Sequence, residues 1–585
     1  MTIPRPALRA SALLVVSLCA AVTLACTGEA PPDRILVNAR IWTGDSSHSG
    51  ATALAIRGDR IIAIGDDATI RALAGAATPV EDLGGLRLLP GFHDAHWHLP
   101  TRRTADLVGA TDEREVVRRL QEFATTLPPD VWITGRGWTP DMFPRNIAHR
   151  RYLDGAFGDR PVVLTDRDGH QTLANSRALA LAAVSAETRE PAGGAIIRDA
   201  DGTPTGLLQE TASALVRRQL PDPSEREIYA ALRYEMHRAA AFGLTALQLA
   251  NALTPSETKA FKRAIAEDSM LVRFRIAVPF GKDASDSALR AYVALRDGER
   301  GPLLRYGIAK GMLDGTVDAG TAAMLAPYAI GGGTGLPRFT EAELTAAVTR
   351  YDSAGLQVEL HAIGDRAIRM SLDAFGVAAV RNGPRDRRHR VEHLEVPDPA
   401  DIPRFASLGV IASSQAIFAG PDETTLTNYA PILGPVRASH AMPFRAIDDA
   451  GAVQAFGSDY PVFSMDPMLG ISIAVTRQMP DGTPPGGWFP EHRIGLDAAL
   501  RHYTRDAAYA AFREQELGVL APGMLADFVV LSEEIIGVEP AALLRAKPVL
   551  TVMGGRDTFR APAASSAAPG TTPGTTPGTA SAPKR

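Results

Sequence analysis

The chain has 585 residues, is 45% hydrophobic and 22% charged, and carries a formal net charge of -5. It is too long for one minimal domain, and its length suits a large barrel with a small appended domain. No basic run points to nucleic acid and no acidic block to an interaction tail, so the composition is that of an ordinary globular protein.

In chain order, the first element is a targeting segment. Arg5 and Arg9 precede an apolar run from Ala10 to Leu24, which reads as the n-region and h-region of a secretory signal. The run is short for a membrane-spanning helix. It ends in "VTLAC", which resembles a bacterial lipobox and implies cleavage after residue 25 and lipid attachment to Cys26. Cys19, the only other cysteine, falls in the segment that would be removed, so the mature chain has no internal disulfide. Residues 26–33 read as a tether. The expectation is an exported lipoprotein, held to a membrane through this anchor alone and facing the periplasm or cell exterior.

Short alternating strands with glycine turns occupy residues 34–85 and recur at 515–560. The two pieces are expected to pair into one small composite, sandwich-like β domain. Between them, residues 86–514 alternate apolar runs with helical patterns. Eight candidate strands stand out: "LRLLPGF", Leu244–Ala250, Val272–Val278, Tyr306–Met312, Leu356–Ala362, His389–Glu395, Gly409–Gln415 and Val453–Asp459. Eight such units predict a closed (β/α)8 TIM-type barrel. The stretch from about 101 to 240 is too long for one crossover and reads as an insertion after the first strand. From 561 to 585 the chain is dominated by Pro, Gly, Thr, Ser and Ala, with no large apolar residue, and is expected to be a disordered tail.

The first strand leads into "GFHDAHWHL". Side chains alternate along a strand, so His96 and His98 point the same way and make a ready two-imidazole metal grip. His93 has the opposite parity and should point away. Asp94 shares their parity and is either a ligand or an orienting group. Lys310, His361, His393 and Asp459 fall at the ends of the fourth, fifth, sixth and eighth strands, where a barrel of this kind carries its reactive groups. Glycines beside Lys310 and Asp459 would let the backbone pack closely there.

The stretches "PGFHDAHWH", "AKGMLDGT", "ELHAIGDRAI", "HRVEHLE", "FGSDYPV" and "GVLAPGMLADFVVL", in this order, resemble the metal-dependent amidohydrolase superfamily. "GRGWTPDMF" and "RPVVLTDRDGHQTLANSRAL" extend the likeness to the amidohydrolase 3 group of YtcJ-like and N-substituted formamide deformylase-like proteins. The resemblance implies two divalent metal ions, with zinc suiting the donors. It places His96 and His98 on the first metal and His361 and His393 on the second. It implies that Lys310 takes up carbon dioxide as a bridging carbamate, and that Asp459 contacts the first metal and acts as general base. It further suggests that His170 and Asn175 reach the site from the insertion. Trp138 is a candidate pocket wall or is buried within the insertion, and Arg366 is a candidate oxyanion partner or a local partner of Asp365. Asp314 is a candidate positioning group.

The expected reaction is hydrolysis of a non-peptide C–N bond in a small amide-type substrate by metal-activated water. Two departures from the pattern are visible: a histidine at 93, and "SQAIF" after strand seven where relatives read Gln-Pro with a nearby histidine. Cyclic amide or lactone hydrolysis is the neighbouring alternative. A deaminase would lack the bridging lysine, and a non-catalytic binding lipoprotein would have broken ligands.

Overall fold

The computed structural model describes residues 30–562 apart from 102, 167–170, 192–193, 319 and 336. The signal segment with Cys26, the tail beyond 562 and His170 lie outside the described residues. Among the described residues no helix is long and apolar enough to cross a membrane.

Eight parallel strands form the barrel. They are β1 Phe92–Trp97, β2 Leu244–Leu249, β3 Arg273–Pro279, β4 Leu304–Met312, β5 Gln357–Ala362, β6 Arg390–His393, β7 Ile411–Ser414 and β8 Gln454–Phe456. Each pairs with the next in chain order. The ring closes where β8 runs into β1: Asp459 N donates to His96 O at 2.7 Å and His98 N to Tyr460 O at 2.8 Å. Gly457 permits this closure, because a Cβ there would lie 2.4 Å from His96 N. β2 is buried at every position, as a parallel strand covered on both faces must be. Crossover helices begin with capping boxes at Ser224/Glu227, Thr254/Glu257 and Thr340/Glu343, which satisfy the free N–H groups of the first turn.

Both chain ends build the composite domain. One sheet contains Arg34–Val37, Ala53–Arg57, Arg60–Gly65 and Val80–Asp82. The other contains Arg40–Ile41, Arg87–Pro90, Phe528–Leu531, Pro548–Met553 and Arg556–Arg560. Leu36, Leu54 and Ile56 of the first sheet share a buried core with Leu88, Phe528 and Val530 of the second.

Two boundaries differ from the sequence expectation. Arg87–Pro90, counted there in the first barrel strand, pairs antiparallel with Phe528–Leu531 in the composite domain. Gly91 then separates it from β1, and its absent side chain makes room for Thr245. The insertion also ends earlier than 240. Its six-stranded sheet runs from Ala105 to Glu210, with its own cores around Leu120, Trp138 and Leu164 and around Val163, Leu179 and Leu208. Glu225–Ala241 belongs to the barrel as the helix leading into β2, and it buries Leu232 and Met236 against the barrel core.

Candidate metal centre

The carboxyl-terminal ends of β1, β4, β5, β6 and β8 converge. His98 Nε2 lies 3.0 Å and His96 Nε2 3.5 Å from Asp459 Oδ1. Lys310 Nζ lies 3.1 Å from His96 Nε2. The rings of His96 and His393 are 4.8 Å apart and those of His361 and His393 4.5 Å. His393 Nδ1 is 4.0 Å from Asp459 Oδ2. Thus six residues distant in sequence meet within one small volume. Among the described residues, His96, His98 and Asp459 form a group whose donor atoms all lie within 4.8 Å of one another.

Each of the four imidazoles is held the same way. His96 Nδ1 bonds to Glu392, His98 Nδ1 to Asn251 Oδ1 at 2.9 Å, His361 Nδ1 to Asp314 Oδ1 at 3.1 Å and His393 Nδ1 to Gln415 Oε1 at 2.9 Å. With oxygen acceptors on Nδ1, every ring keeps its proton there and leaves the Nε2 lone pair for a metal. Burial holds His96 and His393 well below the ordinary histidine pKa, and the neighbouring positive charges act in the same direction. Both are therefore neutral at physiological pH, the form that ligates. The donor set fits divalent metal: neutral imidazole nitrogens and a carboxylate, with the Lys310 amine beside them.

The supporting residues are deeply packed. Glu392 is itself held by Arg390 Nε at 2.7 Å and Ser413 Oγ at 2.8 Å. Asp314 is fully buried, and its second oxygen accepts from the backbone of Ala323 and Gly364, both at 2.9 Å. The backbone at His393 (φ 73°) and at Asp459 (φ 54°) is left-handed, a costly conformation for such residues and one found at functional sites.

Asp94 does not face the cluster. Its Oδ1 accepts from His96 N at 3.0 Å and Ser458 N at 2.9 Å, and its Oδ2 from Ser458 Oγ at 2.5 Å, so it splices β1 to β8. The register of β1 against β2 shifts twice, which breaks the simple alternation. His93 is buried where Arg513, Arg390 and Arg275 all oppose its protonation.

Asn175 is spent on structure: its side chain accepts from Val162 N and Ala178 N, both at 3.0 Å, and donates to Arg160 O at 2.9 Å. Trp138 is enclosed in the insertion's own core against Phe143, which leaves it no open face to wall a pocket. Arg366 opens the helix after β5. Asp365 accepts from the backbone of Leu325 and Arg366, and no ion pair joins the Asp365 and Arg366 side chains among the described residues. Sequence reasoning passed over Glu392 and Asn251 as functional groups. A glutamate in the strand Arg390–His393, directly before His393, was the available signal for the first. Nothing in the local pattern marks Asn251.

Residues 79–559 match the model of the amidohydrolase family, and the chain belongs to that family. It is 32% identical over 515 residues to Protein LONG AFTER FAR-RED 3 of Arabidopsis thaliana, covering 86% of this chain and 87% of that one. It is 28% identical over 545 residues to an N-substituted formamide deformylase of Arthrobacter pascens, covering 89% and 97%. A crystal structure of a metal-dependent hydrolase from Pyrococcus horikoshii OT3 superimposes with a TM-score of 0.69 at 22% identity, over 87% of this chain and 99% of that one. The protein is a metal-dependent hydrolase of the amidohydrolase type.

Proposed function

We propose that the protein hydrolyses a non-peptide C–N bond of a small amide or N-substituted formamide, using two zinc ions, and that it acts outside the cytoplasm as a lipid-anchored enzyme. One observation carries the chemical reading: four imidazoles with Nδ1 committed to fixed acceptors surround Lys310 and Asp459. The likeness to a formamide deformylase over 97% of that protein's length favours the substrate class. The lipobox-like "VTLAC" supports the anchor.

His96, His98, His361, His393 and Asp459 would hold the metals. Lys310 would add an anionic oxygen once its amine has taken up carbon dioxide and lost a proton. When bound, the metals supply an acidified water and polarise the substrate carbonyl. The chain's own part is proton handling. Asp459 accepts the proton of the attacking water and returns it to the leaving nitrogen as the C–N bond breaks, giving an acid and an amine. His98 Nε2 lies 3.0 Å from Asp459 Oδ1, close enough for both atoms to serve the same metal ion.

The test is elemental analysis of the mature chain from Cys26, purified without chelator, followed by an amide and formamide screen. Close to two zinc per chain, falling sharply in Lys310→Ala, together with turnover of a formamide or amide, is the expected result. One metal indifferent to Lys310→Ala would point to mononuclear deaminase-like chemistry. No metal after supply of zinc and bicarbonate would leave a binding protein.

A further inference from the structure

The other end of the barrel carries a second feature that the hydrolase reading does not use. A cavity of about 520 Å³ opens there, lined by Arg275, Arg296, Arg300, Arg305, Arg385 and Arg387 against two carboxylates, Glu299 and Asp386. Arg275 and Arg305 lie near the starts of β3 and β4, and Arg385 and Arg387 precede β6. The cavity is therefore at the amino-terminal ends of the strands, remote from the histidine cluster at their carboxyl-terminal ends.

The charges around it do not balance. Asp297 serves both Arg296 (3.0 Å) and Arg300 (2.7 Å). Asp352 is shared by Arg385, Arg387 and His389. Glu516 is divided between Arg305 (3.0 Å) and Arg513 (2.9 Å). Arg275 is buried, yet among the described residues no carboxylate lies within ion-pair distance of it. Its guanidinium donates only to Gln357 Oε1 at 2.5 Å and to Ala510 O at 3.0 Å. Burial, reinforced by Arg390 and only partly opposed by Glu359, pulls its pKa down to about 9, so it remains a cation at neutral pH. A buried cation with only neutral partners is costly, and an anion beside it relieves that cost.

The wall is also shaped around the arginines. A Cβ at Gly355 would lie 2.6 Å from Arg296 Nη1, and one at Gly307 3.0 Å from Arg296 Cγ. Both glycines have positive φ, +76° and +123°, so another residue there would be strained as well as crowded. Several guanidinium forks converging on one cavity match the terminal oxygens of a phosphate better than a single carboxylate, because each fork takes two oxygens at once. Tyr306 and Phe512 supply an apolar side to the same space.

The geometry points to this basal cavity as a binding site for a small phosphate-bearing anion, separate from the hydrolase centre. The test is calorimetric titration of the metal-loaded mature protein with inorganic phosphate in a phosphate-free buffer. Saturable binding, with a dissociation constant of about 1 mM or tighter, is expected to weaken about tenfold or more in Arg296→Ala/Arg305→Ala. It should weaken likewise in Arg300→Glu, whose exposed side chain makes the change safe for folding. It should persist in His361→Ala. Binding lost in His361→Ala but kept in the arginine variants would place the phosphate on the metals and overturn the proposal. So would an absence of saturable binding, or capture on phosphatidylglycerol vesicles without any response to phosphate.

Discussion

The Glu392 carboxylate accepts a hydrogen bond from His96 Nδ1, and Arg390 holds that carboxylate in turn through its Nε at 2.7 Å. All three are fully buried. The imidazole that the family pattern places on the first metal is thus locked in tautomer and ring angle by a charge pair threaded through the barrel interior. Glu392→Gln removes the charge while keeping the volume. Metal affinity at His96 is expected to fall about 10- to 100-fold, the usual cost of losing such a partner. Competition against a chromophoric chelator measures it. Because Arg390 keeps its bonds to Gln248 Oε1 (2.6 Å) and Ala95 O (2.7 Å), the variant should still fold, with a lowered melting temperature.

Asp459→Asn separates proton transfer from metal retention. The amide keeps an oxygen for the site but cannot accept the proton of the attacking water. The expected outcome is a fall in kcat of about 10²- to 10⁴-fold, with KM little changed, on any amide the wild type turns over. Metal content of the same preparation should drop by no more than one equivalent.

Gly457→Ala tests the barrel closure. Its new methyl would lie 2.4 Å from His96 N and 2.8 Å from His96 Cβ, so β8 must move off β1. Overpacking of this kind costs about 1–3 kcal/mol. It also displaces Asp459, whose N–H bonds to His96 O. A lowered melting temperature together with lost metal is expected, whereas Gly298→Ala, at the end of the helix Asp286–Gly298 with no neighbour within 4 Å, should keep its metal.

The barrel was legible because its strand ends carry chemistry. Lys310, His361, His393 and Asp459 each fall at or close to the carboxyl-terminal end of a strand, and eight alternating strand and helix patterns imply closure. What escaped were contacts between strands that no local pattern encodes. Asn251 reaches His98 across 153 residues and Glu392 reaches His96 across 296. Arg87–Pro90 read as barrel because its apolar character serves either sheet equally. Only its pairing with Phe528–Leu531 decides between them. Trp138 could be read either way for a related reason: a large aromatic beside a motif fits a pocket or a local core, and it lies in one of the insertion's own cores.

His93 gives the pH test. Burial, followed by Arg513, Arg390 and Arg275, pushes its pKa down to about 3, and its buried Nδ1 has no hydrogen-bond partner. Folded, it stays neutral down to about pH 3. Unfolded, it takes a proton below about pH 6.5. Between these values the unfolded state binds more protons, so stability falls as the pH falls, by up to about 1.4 kcal/mol per pH unit from this group alone. His93→Leu removes both the titration and the unsatisfied nitrogen. It should melt at or above the wild-type temperature at pH 7.5, and its advantage should widen as the pH drops to 5, where linkage predicts about 2 kcal/mol. Melting curves of both proteins across that range, in excess zinc to hold the metal centre constant, read the difference directly. An advantage that stays constant with pH would mean that His93 titrates in the folded barrel as it does in the unfolded chain.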